Sequence, residues 1–368
     1  MTVVLADCVE ALAAAYDPAA AEEWDAVGLV AGDPAAAVSR VHVAVDPTAD
    51  VVAEAVDAGA QLLVVHHPLL LRGVHGIAET SPAGRVLAAL TRARCALLTA
   101  HTNADVALPG VSDALLGSLG LPTDGAMALA TSYDDLDGLV VYIPTASRAG
   151  VLSALADAGA GRAGDYERCA WWTAGTGTFT PLPGATPAIG TVGQVEEVAE
   201  DRLEMVVPRR HRDAVVAALR AVHPYEQPAY SLWPLAVPRR GGLGRVVDLP
   251  APTTLGAFTT AVSQGLPATV WGVRATGDPA LPVRRVAVCG GAGGDLAGAA
   301  AAAGADVLLT SDLKHHVALD APLPLIDAAH WATERPWCDQ AAGVLRAAFG
   351  ERVTVTVSDR RTDPWTHV

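Results

Sequence analysis

Two adjacent histidines, His66 and His67, close the apolar run LLVVHH, and Pro68 then leads the chain out of the predicted strand. Within a strand, neighbouring side chains point to opposite faces. At its carboxyl end, however, both imidazoles can reach one crevice, which is where open α/β sheets bind ligands. The two rings could therefore serve two different metal ions. Taken alone, the pair fits a structural role equally well.

Two further segments each carry a histidine with a carboxylate four residues later. They are ALLTAHTNAD, with His101 and Asp105, and PLIDAAHWATE, with His330 and Glu334. This spacing places both groups on one face of a helical turn, where they can share a metal. Because both segments run from an apolar strand into the pair, we interpret them as an internal duplication that supplies both sides of one site. Coincidental pairs of surface residues are the alternative.

A third polar cluster, SDLKHHVALDA, follows the apolar run ADVLL and contains Asp312, Lys314, His315 and His316. Lys314 is the only lysine of the chain. Its compact charge suits an anionic group of a substrate better than the planar guanidinium of arginine would. The cluster fits either additional metal ligands or residues that line a substrate pocket.

Two other segments have a less specific pattern. VAVCGGAGGD, residues 286–295, places a glycine-rich turn between a strand and a helix but lacks the GK[ST] of a P-loop. It predicts a tight turn at the sheet edge. HPYEQPAY, residues 223–230, fits either a rigid turn or a segment that faces a substrate.

Composition limits the class of protein. With 368 residues, of which 51% are hydrophobic, the chain predicts two or three domains. No apolar stretch reaches the roughly 18 to 20 residues that span a bilayer, and the N-terminal segment has acids where a secretory signal is basic. We therefore expect a cytoplasmic protein without a membrane partner. The net charge of −15 disfavours nucleic acid, and five scattered cysteines indicate neither disulfides nor a cysteine zinc site.

The elements that must position these residues alternate between strand and helix. Residues 41–121 predict βαβαβ, and residues 283–357 repeat that order and end in the strand RVTVTVS. This pattern is typical of a parallel sheet covered by helices. We expect two βαβ-type halves, 1–124 and 238–368, to form one α/β domain.

The intervening residues, 125–237, contain their own repeat at an offset of 64 positions, in which Pro144 matches Pro208 and Tyr166 matches Tyr230. Each copy reads as a strand, a helix started by proline and a second strand. Two such units predict an inserted ferredoxin-like α+β domain.

The chain as a whole resembles the NIF-three-like dinuclear-metal-centre proteins, often labelled GTP cyclohydrolase I type 2 homologs. The resemblance covers nearly all of the chain. It is carried, in the family's order, by EEWDAVGLVAGDP, VVHHPLLLRG, AHTNAD, HPYEQPAY, GGLGRV, VAVCGGAGGDL, SDLKHHVALDA and IDAAHWATE. The chain departs from the family pattern at Ala26, where Asn is usual, and at Ala329, where Gly is usual. Neither position is a ligand.

The resemblance implies two divalent transition-metal ions per chain, with five ligands: His66, His67, Asp105, His330 and Glu334. It assigns His66 and His330 to one ion, His67 and Asp105 to the other, and Glu334 as the bridge. His101, which is not a regular ligand in the family, is placed just outside this set. Nitrogen and oxygen ligands suit Zn, Fe, Mn, Co or Ni, so the metal stays open. The resemblance further implies a toroidal homohexamer capped by the inserted domains.

The predicted function is metal-dependent hydrolysis of a small-molecule substrate, because two metals can clamp a substrate and lower the pKa of a bound water to about 7. His101 and Lys314 are the candidate catalytic residues, since they are titratable groups beyond the ligands. The alternative is a non-catalytic metal-binding scaffold or regulatory protein that acts by binding a partner. The sequence does not identify the substrate.

Overall fold

The computed structural model describes residues 2–367. Its strands are β1 (Gly28–Ala31), β2 (Arg40–Ala44), β3 (Leu62–Val65), β4 (Ala96–Thr99), β5 (Ala130–Tyr133), β6 (Leu136–Pro144), β7 (Trp171–Phe179), β8 (Glu196–Pro208), β9 (Tyr230–Pro234), β10 (Pro238–Leu243), β11 (Arg245–Thr254), β12 (Val273–Ala275), β13 (Pro282–Val288), β14 (Val307–Thr310), β15 (Leu325–Ala328) and β16 (Thr354–Val357). Its helices are α1 (Leu5–Ala15), α2 (Ala49–Asp57), α3 (Pro82–Ala93), α4 (Thr102–Val106), α5 (Val111–Ser118), α6 (Arg148–Asp157), α7 (Arg212–Val222), α8 (Leu255–Gly265), α9 (Ala297–Ala302), α10 (His315–Asp320) and α11 (His330–Phe349).

The chain divides into two compact units. The main unit runs up to Ser132 and resumes at Arg239, and the insert is Tyr133–Pro238. Residues just before the insert belong to the main unit because Met127 exchanges two backbone hydrogen bonds with Val246 of β11, at 3.1 and 2.8 Å. Within residues 2–367 the structure has no helix of the length and apolarity that crossing a bilayer requires.

The first sheet of the main unit has the strand order β1-β4-β3-β2-β16. Strands β2, β3 and β4 are parallel, with α2 and α3 as the crossings, as the βαβαβ pattern predicts. The sequence did not indicate which strand the last one joins. RVTVTVS supplies β16, which pairs in parallel with β2 of this first sheet and places Val355 opposite Val41. Its alternating pattern indicates one buried face but carries no information about which strand it joins.

The second sheet of the main unit has the order β11-β13-β14-β15-β12. Its three central strands are parallel, and β11 and β12 close the two edges in antiparallel orientation. The side chains of β14 and β15 are buried along their whole length, which explains the uninterrupted apolar runs of the sequence. The main unit is therefore a mixed α/β structure.

The insert is a four-stranded antiparallel sheet, β7-β8-β6-β9, with α6 and α7 packed on one face. The equivalent helix positions of the predicted repeat share this core, since Val151, Leu155, Val215 and Leu219 are buried in it.

Two details of the predicted repeat were wrong. Pro144 and Pro208 end the strands β6 and β8, and each helix begins four residues later, after a short 3₁₀ turn. The strand after α6 starts at Trp171, because Tyr166 lies in a loop where Gly161 and Gly164 adopt positive φ.

Candidate metal centre

The histidines identified in the sequence lie at the carboxyl ends of three buried parallel strands of the main unit. His66 and His67 follow β3 directly, His101 follows β4, and His330 follows β15. The two four-residue spacings are helical, as predicted: His101 precedes α4, which carries Asp105, and His330 opens α11, which carries Glu334 in its second turn. The imidazole rings therefore lie just after strand ends, and the carboxylates of Asp105 and Glu334 lie in the first two turns of the helices that follow.

Each of the four rings is held through Nδ1 by an oxygen atom. The pairs are His66 with the carbonyl of Ala100 (2.8 Å), His67 with Oδ1 of Asp46 (2.7 Å), His101 with Oδ1 of Asp25 (2.9 Å) and His330 with Oδ2 of Asp312 (2.7 Å). Because these oxygens accept, Nδ1–H is the donor and Nε2 carries the lone pair in the neutral ring. This is the orientation that outer partners impose on metal-binding histidines.

The buried carboxylate of Glu334 lies between three of these rings. Its Oε1 is 2.9 Å from Nε2 of His330 and 3.6 Å from Nε2 of His66, whereas its Oε2 is 3.1 Å from Nε2 of His67. Oδ1 of Asp105 is 3.6 Å from Nε2 of His66. The structure therefore brings all five expected ligands together, and the two oxygens of Glu334 face different rings.

The chemistry of this cluster fits a metal ion. Among residues 2–367, Nε2 of His66 and Oε2 of Glu334 are buried atoms without a hydrogen-bond partner. Such atoms cost about 1–3 kcal/mol each, unless another group compensates them. Imidazole nitrogens and carboxylate oxygens are the ligands that divalent transition metals take. Two overlapping groups have their ligand atoms within 4.8 Å of one another: His66, His67 and His101, and His67, His330 and Glu334.

The charges in the cluster are strongly coupled. Burial lowers the pKa of His67, but the carboxylates of Glu334 and Asp46 outweigh it and raise that pKa to about 11. The same balance, dominated by Glu334, raises the pKa of His330 to about 9. Burial opposes ionisation of Glu334, yet the surrounding rings hold its pKa well below the usual value. Burial and the charge of Glu334 raise the pKa of Asp105 to about 6, although His66 opposes the shift.

His101 differs from the other three rings. Burial, together with the neighbouring His66, lowers its pKa, so its ring is neutral at pH 7. The edge of its ring contacts Trp24, with 6.0 Å between the ring centroids. Its ligand atom lies within 4.8 Å of those of His66 and His67, so its place outside the ligand set stays a prediction.

Only one member of the third polar cluster reaches this site. Asp312 holds His330 and adopts a positive φ of 56°, a strained conformation typical of functional positions. Lys314 is exposed, and its side chain makes no hydrogen bond or ion pair with any residue in the described part of the chain. His315 and His316 contact each other edge to face at 5.2 Å. The catalytic role of Lys314 stays a prediction.

Comparison with known proteins assigns the family. The sequence model of the Duf34/NIF3 (NGG1p interacting factor 3) family matches residues 3–364. The chain belongs to the Duf34/NIF3 family. A Mycobacterium tuberculosis protein named GTP cyclohydrolase 1 type 2 homolog is 50% identical over 99% of this chain and 97% of its own length. The Bacillus subtilis protein of the same name is 38% identical over 94% of each.

Solved structures give the same result. A Bacillus cereus protein related to NIF3 has a TM-score of 0.68 and 34% identity, and the match covers 100% of both chains. A Staphylococcus aureus protein has a TM-score of 0.74 and 26% identity over 100% of this chain and 99% of its own. The family resemblance found in the sequence is confirmed.

The glycine-rich turn of this NIF3 chain lies against the cluster. Gly291 has φ +66°, and a Cβ at this position would collide with Oε1 of Glu334 and lie 3.2 Å from Nε2 of His330. Its N–H donates to Oγ1 of Thr333 at 2.9 Å, and its carbonyl accepts from Oγ1 of Thr310 at 2.9 Å. The predicted tight turn is present, and its function here is to make room for the carboxylate.

A cavity of about 570 Å³ opens beside the cluster of this NIF3 chain. His67 and His330 border it. Its other walls are formed by Asp46, Trp271, Asp312, Leu313, Ala329, Trp331, Thr362, Asp363, Pro364 and Trp365. None of these lining residues is a lysine or an arginine. The site therefore has space for a substrate next to the rings, with aromatic and acidic walls.

Sequence reasoning missed two carboxylates that orient rings and one hydroxyl that holds the first of them. Asp46 ends the strand VHVAVD at the same sheet edge as His67, which was a usable signal. Asp25 lies in EEWDAVG, a segment quoted for the family resemblance without a role for this carboxylate. Thr362 donates to Oδ2 of Asp46 from the C-terminal segment of the NIF3 chain, and nothing in its local sequence indicated this contact.

Proposed function

We propose that this NIF3 chain is a metal-dependent hydrolase with a dinuclear centre. The observation that carries the proposal is the fixed orientation of four imidazoles, whose Nδ1 atoms are all occupied and whose Nε2 atoms converge with two carboxylates. The ligands would be His66, His67, Asp105, His330 and Glu334.

The split contacts of Glu334 support a bridging role. Its Oε1 faces His66 and His330, and its Oε2 faces His67. These contacts fit a pair of ions in which His66 and His330 would hold one and His67 would hold the other. The family pattern adds Asp105 to the ion of His67, whereas in the structure its Oδ1 lies 3.6 Å from Nε2 of His66. A carboxylate between two cations also offsets their mutual repulsion, which neutral histidines cannot do.

Divalent ions held by these residues would supply Lewis acidity and would lower the pKa of a bound water to about 7. The chain's own groups would then bind the substrate and handle protons. His101 is neutral, and its Nδ1–H is fixed by Asp25, so Nε2 can accept a proton. Lys314 would neutralise an anionic group of the substrate; it does not line the cavity, so this role requires a substrate that extends beyond the cavity walls.

The cavity favours hydrolysis over a purely structural metal site. A scaffold protein needs no space beside its ligands, whereas about 570 Å³ next to His67 and His330 accommodates a small molecule. The non-catalytic alternative predicts metal binding without turnover of any compound.

Three further expectations belong to the same proposal. The insert would be a ferredoxin-like domain, which its four-stranded antiparallel sheet and two helices on one face support. The chain would assemble as a toroidal homohexamer, and it would act in the cytoplasm. Light scattering of the purified protein would test the assembly directly.

The deciding experiment combines metal analysis with activity. Protein reconstituted separately with Zn²⁺, Mn²⁺, Fe²⁺, Co²⁺ or Ni²⁺ should hold two ions per chain by elemental analysis. The same samples should hydrolyse at least one compound in a panel of phosphoesters, nucleotides and amides. Turnover that survives in His101→Ala and in Glu334→Gln would contradict the proposal. Two ions with no turnover by any sample would support the scaffold instead.

A further inference from the structure

The sheet of the insert has one face that α6 and α7 do not cover, and this face carries a cavity of about 770 Å³. The proposed metal chemistry does not use this cavity. Alternate residues of β6 and β8, such as Leu139 and Leu203, pack with α6 and α7 on one face of the sheet. Tyr142 and Arg202, which are register partners, point to the other face and line the cavity. The loop 181–189 and the segment 225–229 complete its wall.

A buried carboxylate without a cation lies in this wall. Glu200 is 9% exposed, and Oε1 accepts a hydrogen bond from the hydroxyl of Tyr225 at 2.8 Å. Among residues 2–367, no lysine, arginine or histidine forms an ion pair with it. The other buried carboxylates of the insert are compensated: Asp137 binds Arg212 at 2.7 Å, and Asp201 binds Arg148 at 2.8 Å. Buried charges are ordinarily paired, so Glu200 is the exception in this unit.

The other polar groups of the cavity leave its charge negative. Arg202 has its guanidinium 3.0 Å from the carboxylate of Glu204 and is already paired. A second acid, Glu226, lines the wall and accepts a hydrogen bond from the backbone N–H of Thr186 at 3.2 Å. The cavity therefore repels anions.

Aromatic rings and a glycine, Gly177, shape the space around Glu200. Phe179 and Tyr225 contact each other edge to face at 5.7 Å, and both line the cavity together with Tyr142. A Cβ at Gly177 of β7 would collide with Oε2 of Glu200, so only glycine leaves the carboxylate its position. A carboxylate beside aromatic faces is the combination that recognises organic cations.

The segment HPYEQ, whose role the sequence left open, holds this arrangement in place. His223 is buried, and its Nε2 donates to the carbonyl of Tyr142 at 3.0 Å while its Nδ1 accepts from the N–H of Tyr225 at 3.1 Å. Burial lowers the pKa of His223, so its ring is neutral and does not compensate Glu200. Burial, followed by the hydrogen bond to Glu200, raises the pKa of Tyr225, which keeps its hydroxyl protonated as the donor.

We propose that this cavity binds a small organic cation, an amine or guanidinium with an apolar body, which pairs with Glu200 and packs against Tyr225 and Phe179. The site is separate from the metal centre, and the proposal does not depend on hydrolysis.

The test compares two probes of the same shape, 2-phenylethylammonium and the uncharged 2-phenylethanol, by calorimetry and thermal shift on the full-length protein at neutral pH. A charge-assisted hydrogen bond is worth about 1.5–3 kcal/mol, so the ammonium probe should bind at least about tenfold more tightly. Equal affinities, or no binding of either probe, would overturn the proposal with the wild-type protein alone.

Variants then locate the site. Glu200→Gln should abolish the preference for the charged probe, whereas Glu197→Gln, the same change at an exposed position of β8, should leave it intact. Gly177→Ala should weaken the ammonium probe through displacement of the carboxylate. Retention of the full preference by a folded Glu200→Gln protein would assign the binding to another place and overturn the proposal.

Discussion

Asp46 provides the sharpest test of the proposed metal centre, because it touches one ring only. Its Oδ1 accepts from Nδ1 of His67 at 2.7 Å, and its Oδ2 accepts from Thr362. Asp46→Asn preserves the shape of the side chain but removes its charge. The amide oxygen can still accept from His67, so the ring should keep its place while its Nε2 becomes a weaker ligand.

The size of the effect follows from exposure and bonding. Loss of an outer partner of a metal-binding histidine typically costs about 10 to 100-fold in affinity. The side chains of Asp46 and His67 are 25% and 24% exposed, so solvent screens part of the lost charge, and one hydrogen bond remains. We therefore expect Asp46→Asn to lower the metal affinity about tenfold, which is ~1.4 kcal/mol, at the low end of that range. The loss should be greatest at the ion held by His67.

A competitive titration with a chromophoric chelator would resolve two binding steps in the wild-type protein. One step should weaken about tenfold in Asp46→Asn, and the other should weaken less, because Asp46 contacts His67 and none of the other proposed ligands. Asp57→Asn, at an exposed position of α2, is the matched control and should change neither step. Two unchanged steps in Asp46→Asn would refute the argument that this carboxylate tunes His67, and two equally weakened steps would show that the sites are not separable.

Three other predictions concern the same cluster. Glu334→Gln should weaken both binding steps together, whereas His66→Ala should weaken one; elemental analysis after dialysis would show this, and a Glu334→Gln protein that kept both ions would exclude the bridge. Because His67 has a pKa of about 11 without metal, it is protonated at pH 7 and must lose that proton to bind. Metal binding should therefore release protons, and the affinity should rise with pH from about 7 toward the pKa of about 11 of His67; calorimetry in buffers of different ionisation enthalpy that showed no release would contradict this. Gly291→Ala should lower metal content and cost more than about 1 kcal/mol of stability, since Ala is strained at positive φ and its Cβ meets Glu334. Gly298→Ala in α9 has open space, so it should leave metal content unchanged and raise stability by about 0.4–1 kcal/mol, as metal analysis and thermal melting would show.

Much of the site could be predicted because its signals are local. A histidine and a carboxylate four residues apart need only a helical turn to share a face, and the structure has such a turn at His101 and at His330. Strand ends could likewise be located from apolar runs that stop at a polar residue. The family resemblance then added the pairing of ligands, which neither spacing nor composition contains and which metal analysis has to test.

What could not be predicted is non-local. Asp25 reaches His101 from another element, and Thr362 reaches Asp46 from the far end of the chain, so the sequence around each gives no indication of its partner. The pairing of β16 with β2 is of the same kind, since an alternating strand specifies a buried face but not a neighbour. Pro144 and Pro208 were wrongly predicted to start helices because the φ of proline suits the end of a strand as well as the start of a helix.

The pairing of β16 with β2 has a consequence for biosynthesis. The ribosome synthesises β2 near the start of the chain and β16 near its end, and the insert is synthesised between them. Contacts between such distant segments form late and slowly, because loop closure must precede them. A nascent chain that has emerged only as far as the insert contains the proposed ligands His66, His67 and Asp105 but neither His330 nor Glu334. The proposed centre would therefore bind its full complement of metal only after translation. Retention of both ions would indicate that the segments before and after the insert have folded together.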